Sequence, residues 1–171
     1  MLLEWNEKMN LTAITDDYEI IVKHFVDCLE CSKAIKDEKK IIDVGTGAGF
    51  PGMVLAIYYP QIEFTLLDGL NKRLIFLEEV INKLGLKNVK IVHARAEEFG
   101  QNKKYRESFD IATSRAVANL STLSEYLIPL VKVGGKVLSM KAAEAQEEIN
   151  EAKKAIEVLG GTIEKVDEFN L

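Results

Sequence analysis

Asp43-Val44-Gly45-Thr46-Gly47-Ala48-Gly49-Phe50-Pro51-Gly52 follows the apolar pair Ile41-Ile42 and precedes the helix-forming run Met53-Val54-Leu55-Ala56-Ile57. The order is strand, glycine turn, helix, which is the ligand corner of an α/β sheet. Gly45, Gly47 and Gly49 carry no side chain, so a ligand can approach the backbone closely. Pro51 suits the first turn of the following helix, where its missing N–H costs nothing.

The spacing bears on which ligand the corner takes. Dinucleotide enzymes space these glycines as G-x-G-x-x-G. Here the third glycine comes one residue early, at Gly49, and Phe50 fills the slot that the dinucleotide pattern reserves for glycine. A pyrophosphate also needs an open helix N-terminus, whereas S-adenosylmethionine (SAM) has no phosphate and tolerates Phe50 and Pro51 there. An acid ahead of the turn (Asp43) followed by G-x-G-x-G is similar to the SAM corner of a methyltransferase. Next comes the strand Ile62-Glu63-Phe64-Thr65-Leu66-Leu67-Asp68. Asp68 lies about 20 residues past the glycines, where a carboxylate accepts ribose hydroxyls. A tight turn plus a solvated acid is the plainer alternative.

The chain has 171 residues, which predicts one domain with a real core. Apolar residues make up 47% and charged residues 29%, as in ordinary soluble proteins. No stretch approaches the roughly 18 apolar residues of a membrane span, and no secretory leader is visible, so a cytoplasmic setting with no membrane partner is expected. Two cysteines do not make a disulfide framework. The net charge of −5 does not suggest a polyanion binder. A local basic run does exist: Lys87, Lys90, Arg95, Lys103, Lys104 and Arg106, opposed only by Glu97 and Glu98. The C-terminal stretch is acidic, with Glu144, Glu147, Glu148, Glu151, Glu157, Glu164, Asp167 and Glu168. Solvated helix faces and loops are the plain alternative for both runs.

Residues 1–38 read as a helical prelude and 39–171 as an α/β core within one domain. Trp5 to Leu11 reads as a helix end and turn, and Asp16 or Asp17 caps the next helix. Ile21, His24, Cys28, Cys31 and Ile35 fall on one stripe at helical spacing. From residue 40, strands are expected at 41–44, 62–68, 88–93, 109–114, 136–140 and 162–169. Helices are expected at 51–59, 71–84, 118–131 and 143–159. Ala94 to Glu97 reads as a loop, and Gly134-Gly135 as the turn into the strand at 136. The alternation predicts a doubly wound, mostly parallel sheet. Gly45 to Phe50, Asp68, Ala96-Glu97 and Ser114-Arg115 all follow strands, and so converge on the C-terminal edge where such sheets hold ligands.

These residues resemble the bacterial small-subunit ribosomal RNA guanine-N7 methyltransferases, also called glucose-inhibited division protein B. The matching segments begin with Trp5 to Thr12, Lys23-His24-Phe25 and the Asp43–Gly52 corner. They continue with Leu66-Leu67-Asp68, Asn71-Lys72-Arg73 with Phe76-Leu77, and Ala94-Arg95-Ala96-Glu97. Ser114-Arg115-Ala116-Val117-Ala118 and Gly134-Gly135 complete the set. The resemblance implies a Rossmann-like, SAM-dependent methyltransferase sheet with an N-terminal helical extension. It implies SAM contacts at Gly45, Phe50, Ala96, Glu97 and Arg115, beside the ribose position at Asp68 and the turn glycines Gly47 and Gly49. The implied reaction is methyl transfer to N7 of a guanosine in the decoding-region loop of 16S rRNA, as naked RNA or as a small-subunit precursor.

Three departures from the family are Cys28 and Gly69, where serine is usual, and Ala142, where glycine is common. The family also continues past the position of Leu171 with another strand and a basic tail. The last of the usual seven strands is therefore expected to be missing, and the chain is read as truncated at both ends.

Guanine N7 already presents a lone pair, so its attack on a sulfonium methyl needs no general base. Arg115 is the candidate for neutralising the SAM carboxylate or an RNA phosphate by a bidentate contact. Lys23, His24, Lys72, Arg73 and Arg95 are the candidate RNA contacts. Cys28-Leu29-Glu30-Cys31 with His24 has metal-ligand residue types on one helix face, but the apolar stripe accounts for it by packing, and no metal is expected. The competing readings are an NAD-type oxidoreductase, a SAM-binding module without turnover, and a methyltransferase acting on something other than RNA.

Overall fold

The computed structural model of the chain describes residues 1–141 and 145–169. Ala142, Glu144 and the opening of the helix expected at 143–159 lie outside the described residues. Five strands form one parallel sheet: β1 (Lys40–Val44), β2 (Glu63–Asp68), β3 (Val89–His93), β4 (Phe109–Arg115) and β5 (Val131–Met140). Their order across the sheet is β3-β2-β1-β4-β5. The chain builds β1 to β3 in one direction and β4 to β5 in the other, so the order reverses between β1 and β4. In an open parallel sheet that reversal leaves a crevice above the C-terminal strand ends.

Both faces of the sheet are covered, which is why β1 and β2 read as nearly unbroken apolar runs. On one face Ile41, Phe64 and Ile111 pack against Leu55 and Ala56 of α4 (Gly52–Tyr58), while Leu66 meets Leu74 and Leu77 of α5 (Asn71–Leu84). On the other face Ile42, Val44, Leu67 and Ala112 pack against Phe99 of α6 (Ala96–Gln101) and Leu123 and Leu127 of α7 (Leu120–Leu127). α8 (Ala145–Val158) buries Ala152 and Ile156. Two side chains stitch the strand starts together. The Asp110 carboxylate accepts the backbone N–H groups of Lys39 and Lys40, both at 2.8 Å. Asn88 Nδ2 donates to the carbonyls of Ala56, Tyr59 and Ile62, fixing the α4–β2 connection.

The prelude packs onto this body. α1 (Leu2–Met9) ends at Asn10 in the left-handed region, and its Trp5 ring lies 5.7 Å from Phe76 of α5. Asp16 caps α2 (Asp17–Ile20) by accepting from Glu19 N at 2.9 Å. A π-helical turn over Ile21–Val26 then leads into α3 (Asp27–Glu30) and a 3₁₀ turn over Cys31–Ala34.

Four expectations are corrected. The π turn spreads Ile21–Val26 over more residues per turn, which turns Ile21 out of the expected stripe: it is 52% exposed and Ile20 is buried instead, while Cys28 and Ile35 are buried as expected. Ala96 opens a helix instead of closing a loop; Glu97 and Glu98 in its first turn suit the helix dipole, and Phe99 is its buried anchor. Gly134-Gly135 does not start a strand but lies within β5. Phe109 pairs with Val131 and Ile111 with Lys136, so the intervening residues of β5 bulge out. A Cβ on Gly135 would come within 2.9 Å of the Asp110 and Lys132 carbonyls, so only glycine fits there. Finally, residues 162–169 form no strand. A strand needs a hydrogen-bonding neighbour, and among the described residues the outer edge of β5 bonds to none. Ile163, Val166 and Phe169 remain 39%, 49% and 46% exposed, and Glu164, Lys165, Asp167 and Glu168 keep the segment solvated.

Candidate methyl-donor site

The glycine turn is held to the ends of two strands. Gly45 N and Thr46 N donate to the Leu67 carbonyl at 2.8 and 3.0 Å. Gly47 N donates to Asp68 Oδ2 at 2.9 Å, and Asp68 Oδ1 accepts Leu70 N at 2.8 Å. Asp68 therefore shapes the turn as well as closing β2. Oδ2 also accepts Arg73 Nη1 at 3.5 Å, so Oδ1 is the oxygen that keeps a lone pair for a further donor. Gly45, Gly47 and Gly49 have φ values of +69°, +57° and +92°, which explains the residue type at all three.

Asp43 sits beneath the turn, fully buried. Its Oδ2 accepts Thr46 Oγ1 at 2.6 Å and Gly52 N at 2.9 Å, while Oδ1 has no partner. Burial pushes its carboxyl from 3.8 up to about 6, against the pull of those two hydrogen bonds. Between the ordinary carboxylate range and about 6, the native state binds more protons than the unfolded chain. Stability therefore falls as pH rises through that window and is level above it. At about 1.4 kcal/mol per unit, the component amounts to about 3 kcal/mol. Asp43→Asn removes it, so urea titrations from pH 4 to 6.5 are expected to show wild type losing about 2–3 kcal/mol relative to the variant. Parallel curves for the two proteins would contradict a buried, half-partnered carboxyl.

Arg115, at the end of β4, joins the turn to the prelude. Its Nη1 donates to Asp27 Oδ2 at 3.1 Å and to the Lys23 carbonyl at 3.4 Å, and Nη2 donates to His24 Nδ1 at 3.1 Å. The guanidinium lies 4.9 Å from the Phe50 ring centre. His24 stacks on the same ring at 4.6 Å, and Phe25 meets it edge-on at 5.7 Å. His24 Nδ1 lies 3.1 Å from both the Arg115 guanidinium and the Lys23 carbonyl, and its Nε2 lies 2.7 Å from Thr12 Oγ1. Burial, and then the nearby Arg115 charge, lower the His24 pKa.

The sheet edge thus gathers Gly45, Gly47, Gly49, Phe50, Asp68, Arg115 and His24 into one connected corner. Ala96 and Glu97 lie on the same edge after β3, but Glu97 turns to accept the Tyr126 hydroxyl at 3.0 Å. The candidate RNA contacts divide into two groups. Lys23 pairs with Glu19 at 2.5 Å, and His24 is spent on Thr12, Arg115 and Phe50. On the other side of the turn Arg73 reaches Asp68 at 3.5 Å, Lys72 is exposed, and Arg95 packs over Gly69. The Cys28 and Cys31 thiols are free and buried or half-buried. Burial pushes Cys28 up, and Cys31 up to about 12, which removes thiolate chemistry at neutral pH. Among the described residues, no three His, Cys, Asp or Glu side chains form a metal-ligand group, and no helix is long and apolar enough to cross a membrane. Thr12 belongs to the matching Trp5–Thr12 segment, whereas Asp27 lies outside every motif read from the sequence. Asp27 stands four residues after Lys23 on the same helical stretch, which is its only local signal.

A parallel sheet reversing between β1 and β4, a glycine turn over the crevice and an acid closing β2 define a Rossmann-like fold of the kind found in SAM-dependent methyltransferases. The fold is shared with a SAM-dependent O-methyltransferase from Thermotoga maritima (TM-score 0.63, 17% identity, 92% of this chain and 56% of that one). It is shared too with P. horikoshii TYW2, solved in complex with MeSAdo (TM-score 0.67, 13% identity, 80% and 52%). The chain belongs to the GidB family, rRNA small subunit methyltransferase G, whose family model matches residues 1–170. Relatives named ribosomal RNA small subunit methyltransferase G include one from Clostridium perfringens, 56% identical over all of this chain and 72% of that protein. Another, from Alkaliphilus metalliredigens, is 54% identical over the same shares.

Proposed function

We propose that this protein transfers the methyl group of SAM to N7 of a guanosine in 16S rRNA, in the cytoplasm, and that residues 1–38 and 39–171 act as one domain. Family membership over the whole chain carries the reading. The corner supports it, because its residues suit the donor. The open backbone at Gly47, where nothing lies closer than 3.9 Å to a Cβ position, admits an adenosyl group, Asp68 Oδ1 has a lone pair for a ribose hydroxyl, and Arg115 offers a cation to the methionine carboxylate. Ala96 and Glu97 complete the proposed seat from the β3 side. SAM supplies an electrophilic methyl group. The chain's own contribution is alignment, since N7 attacks with a lone pair and loses no proton. Holding two reactants in line can lower a barrier by several kcal/mol. Lys72, Arg73 and Arg95 are the proposed phosphate contacts beside Asp68, with Lys23 on the opposite flank, where His24 is already held by Thr12 and Arg115.

The test uses SAM labelled in its methyl group with purified small ribosomal subunits and with naked 16S rRNA, followed by nuclease digestion and mass spectrometry. The expected product is N7-methylguanosine. Label on another base, on protein, or nowhere in the RNA would overturn the assignment.

A further inference from the structure

The loop after β4 carries a feature that the donor site does not explain. Ala116 has φ +54°, a left-handed conformation that non-glycine residues rarely adopt. The kink turns Val117 back onto the glycine turn, so that a side chain at Gly45 would overlap Val117 Cγ2. Such a backbone persists only when its surroundings fix it. Two charged side chains bind the loop just beyond it. Lys141 Nζ, one residue beyond β5, donates to the Ala118 carbonyl at 2.6 Å and pairs with Glu148 of α8 at 2.8 Å. The same Glu148 Oε1 accepts Leu120 N at 3.0 Å. The Lys141 and Glu148 side chains are only 15% and 26% exposed, so solvent competes weakly with these charge-assisted bonds. The two residues grip the loop on both sides of Asn119.

We propose that Lys141 and Glu148 are positioning residues: a clasp that holds the Arg115–Leu120 loop against the glycine turn and sets Arg115 and Val117 as one wall of the methyl-donor seat. This rests on the donor seat proposed above, and it assigns a role in that seat to two residues far from the glycines in sequence. Neither residue touches the reacting atoms in this reading. They act through the loop, at its Ala118 carbonyl and its Leu120 amide.

The test compares Lys141→Met, Glu148→Ala, the double variant and Lys141→Arg. Binding of S-adenosylhomocysteine is measured by calorimetry, and amide exchange across residues 115–120 by mass spectrometry. Each single loss is expected to weaken binding by about fivefold or more and to speed exchange of the loop by about tenfold. The double variant is expected to be no worse than either single one, because partners in one network are not additive. Lys141→Arg keeps a cation at Ala118 and Glu148 and is expected to restore most of both signals. A merely structural role would lower the melting temperature without this pattern of coupling and rescue. Affinities within about twofold of wild type, or additive losses in the double variant, overturn the proposal. If wild type leaves ribosomal RNA unmethylated while the variants still weaken binding as described, the functional assignment fails and the clasp stands.

Discussion

Arg115→Lys is expected to cut methyl transfer by about 100-fold, equivalent to about 2.7 kcal/mol of transition-state stabilisation. The guanidinium meets Asp27, His24 and the Lys23 carbonyl while facing the Phe50 ring. A planar fork can do this; an ammonium on a flexible stem satisfies one or two of these partners and leaves the ring face. Losing the fork also removes the contact with His24 and loosens the prelude from the glycine turn. S-adenosylhomocysteine calorimetry separates the two consequences. A weakened affinity that accounts for the whole rate loss places Arg115 on the donor. An unchanged affinity with a depressed rate places it on the RNA. A rate within about threefold of wild type would show that neither role is needed.

The largest effect on stability is expected at Gly49. A Cβ there would lie 2.7 Å from Met53 Cβ and 2.9 Å from Leu77 Cδ2, at a backbone φ of +92°. The left-handed conformation costs a non-glycine residue roughly 1–2 kcal/mol, and forcing a methyl into a filled core about 1–3 kcal/mol more. Gly49→Ala is therefore expected to lower unfolding stability by about 3–4 kcal/mol and the melting temperature by roughly 10 °C. Gly47→Ala is the control. Its φ is +57°, but the nearest atom to a new Cβ is 3.9 Å away, so only the conformational cost of about 1 kcal/mol applies. Equal losses at the two positions, read by thermal denaturation, would mean that packing at the β1–α4 turn contributes nothing.

What could be read from the sequence was what is local. The glycine corner, Asp68 closing β2 and the helix at 71–84 are each written in neighbouring residues, and the structure places them as read. The bulge in β5 could not be read, because Gly134-Gly135 signals a turn equally well when a strand continues through it. The π turn escaped because one extra residue per turn leaves no compositional mark. α6 was hidden by its brevity. The 162–169 segment has strand-forming residues, but strand formation depends on a neighbour and not on the segment itself. In the site, Asp27 and Arg115 lie 88 residues apart in the chain, a separation over which spacing rules are silent. For the same reason Glu148 read only as part of an acidic helix face.

The reversal of strand order also bears on how the chain is made. β1 pairs with β4 at Ile41 and Ile111, and Asp110 closes onto Lys39 and Lys40 about seventy residues upstream. At about 5–20 residues per second, a ribosome exposes the glycine corner roughly 4 to 14 seconds before the strand that must lie beside it. During that interval β1 has at most its β2 side covered, and its other edge waits open for a partner still being translated.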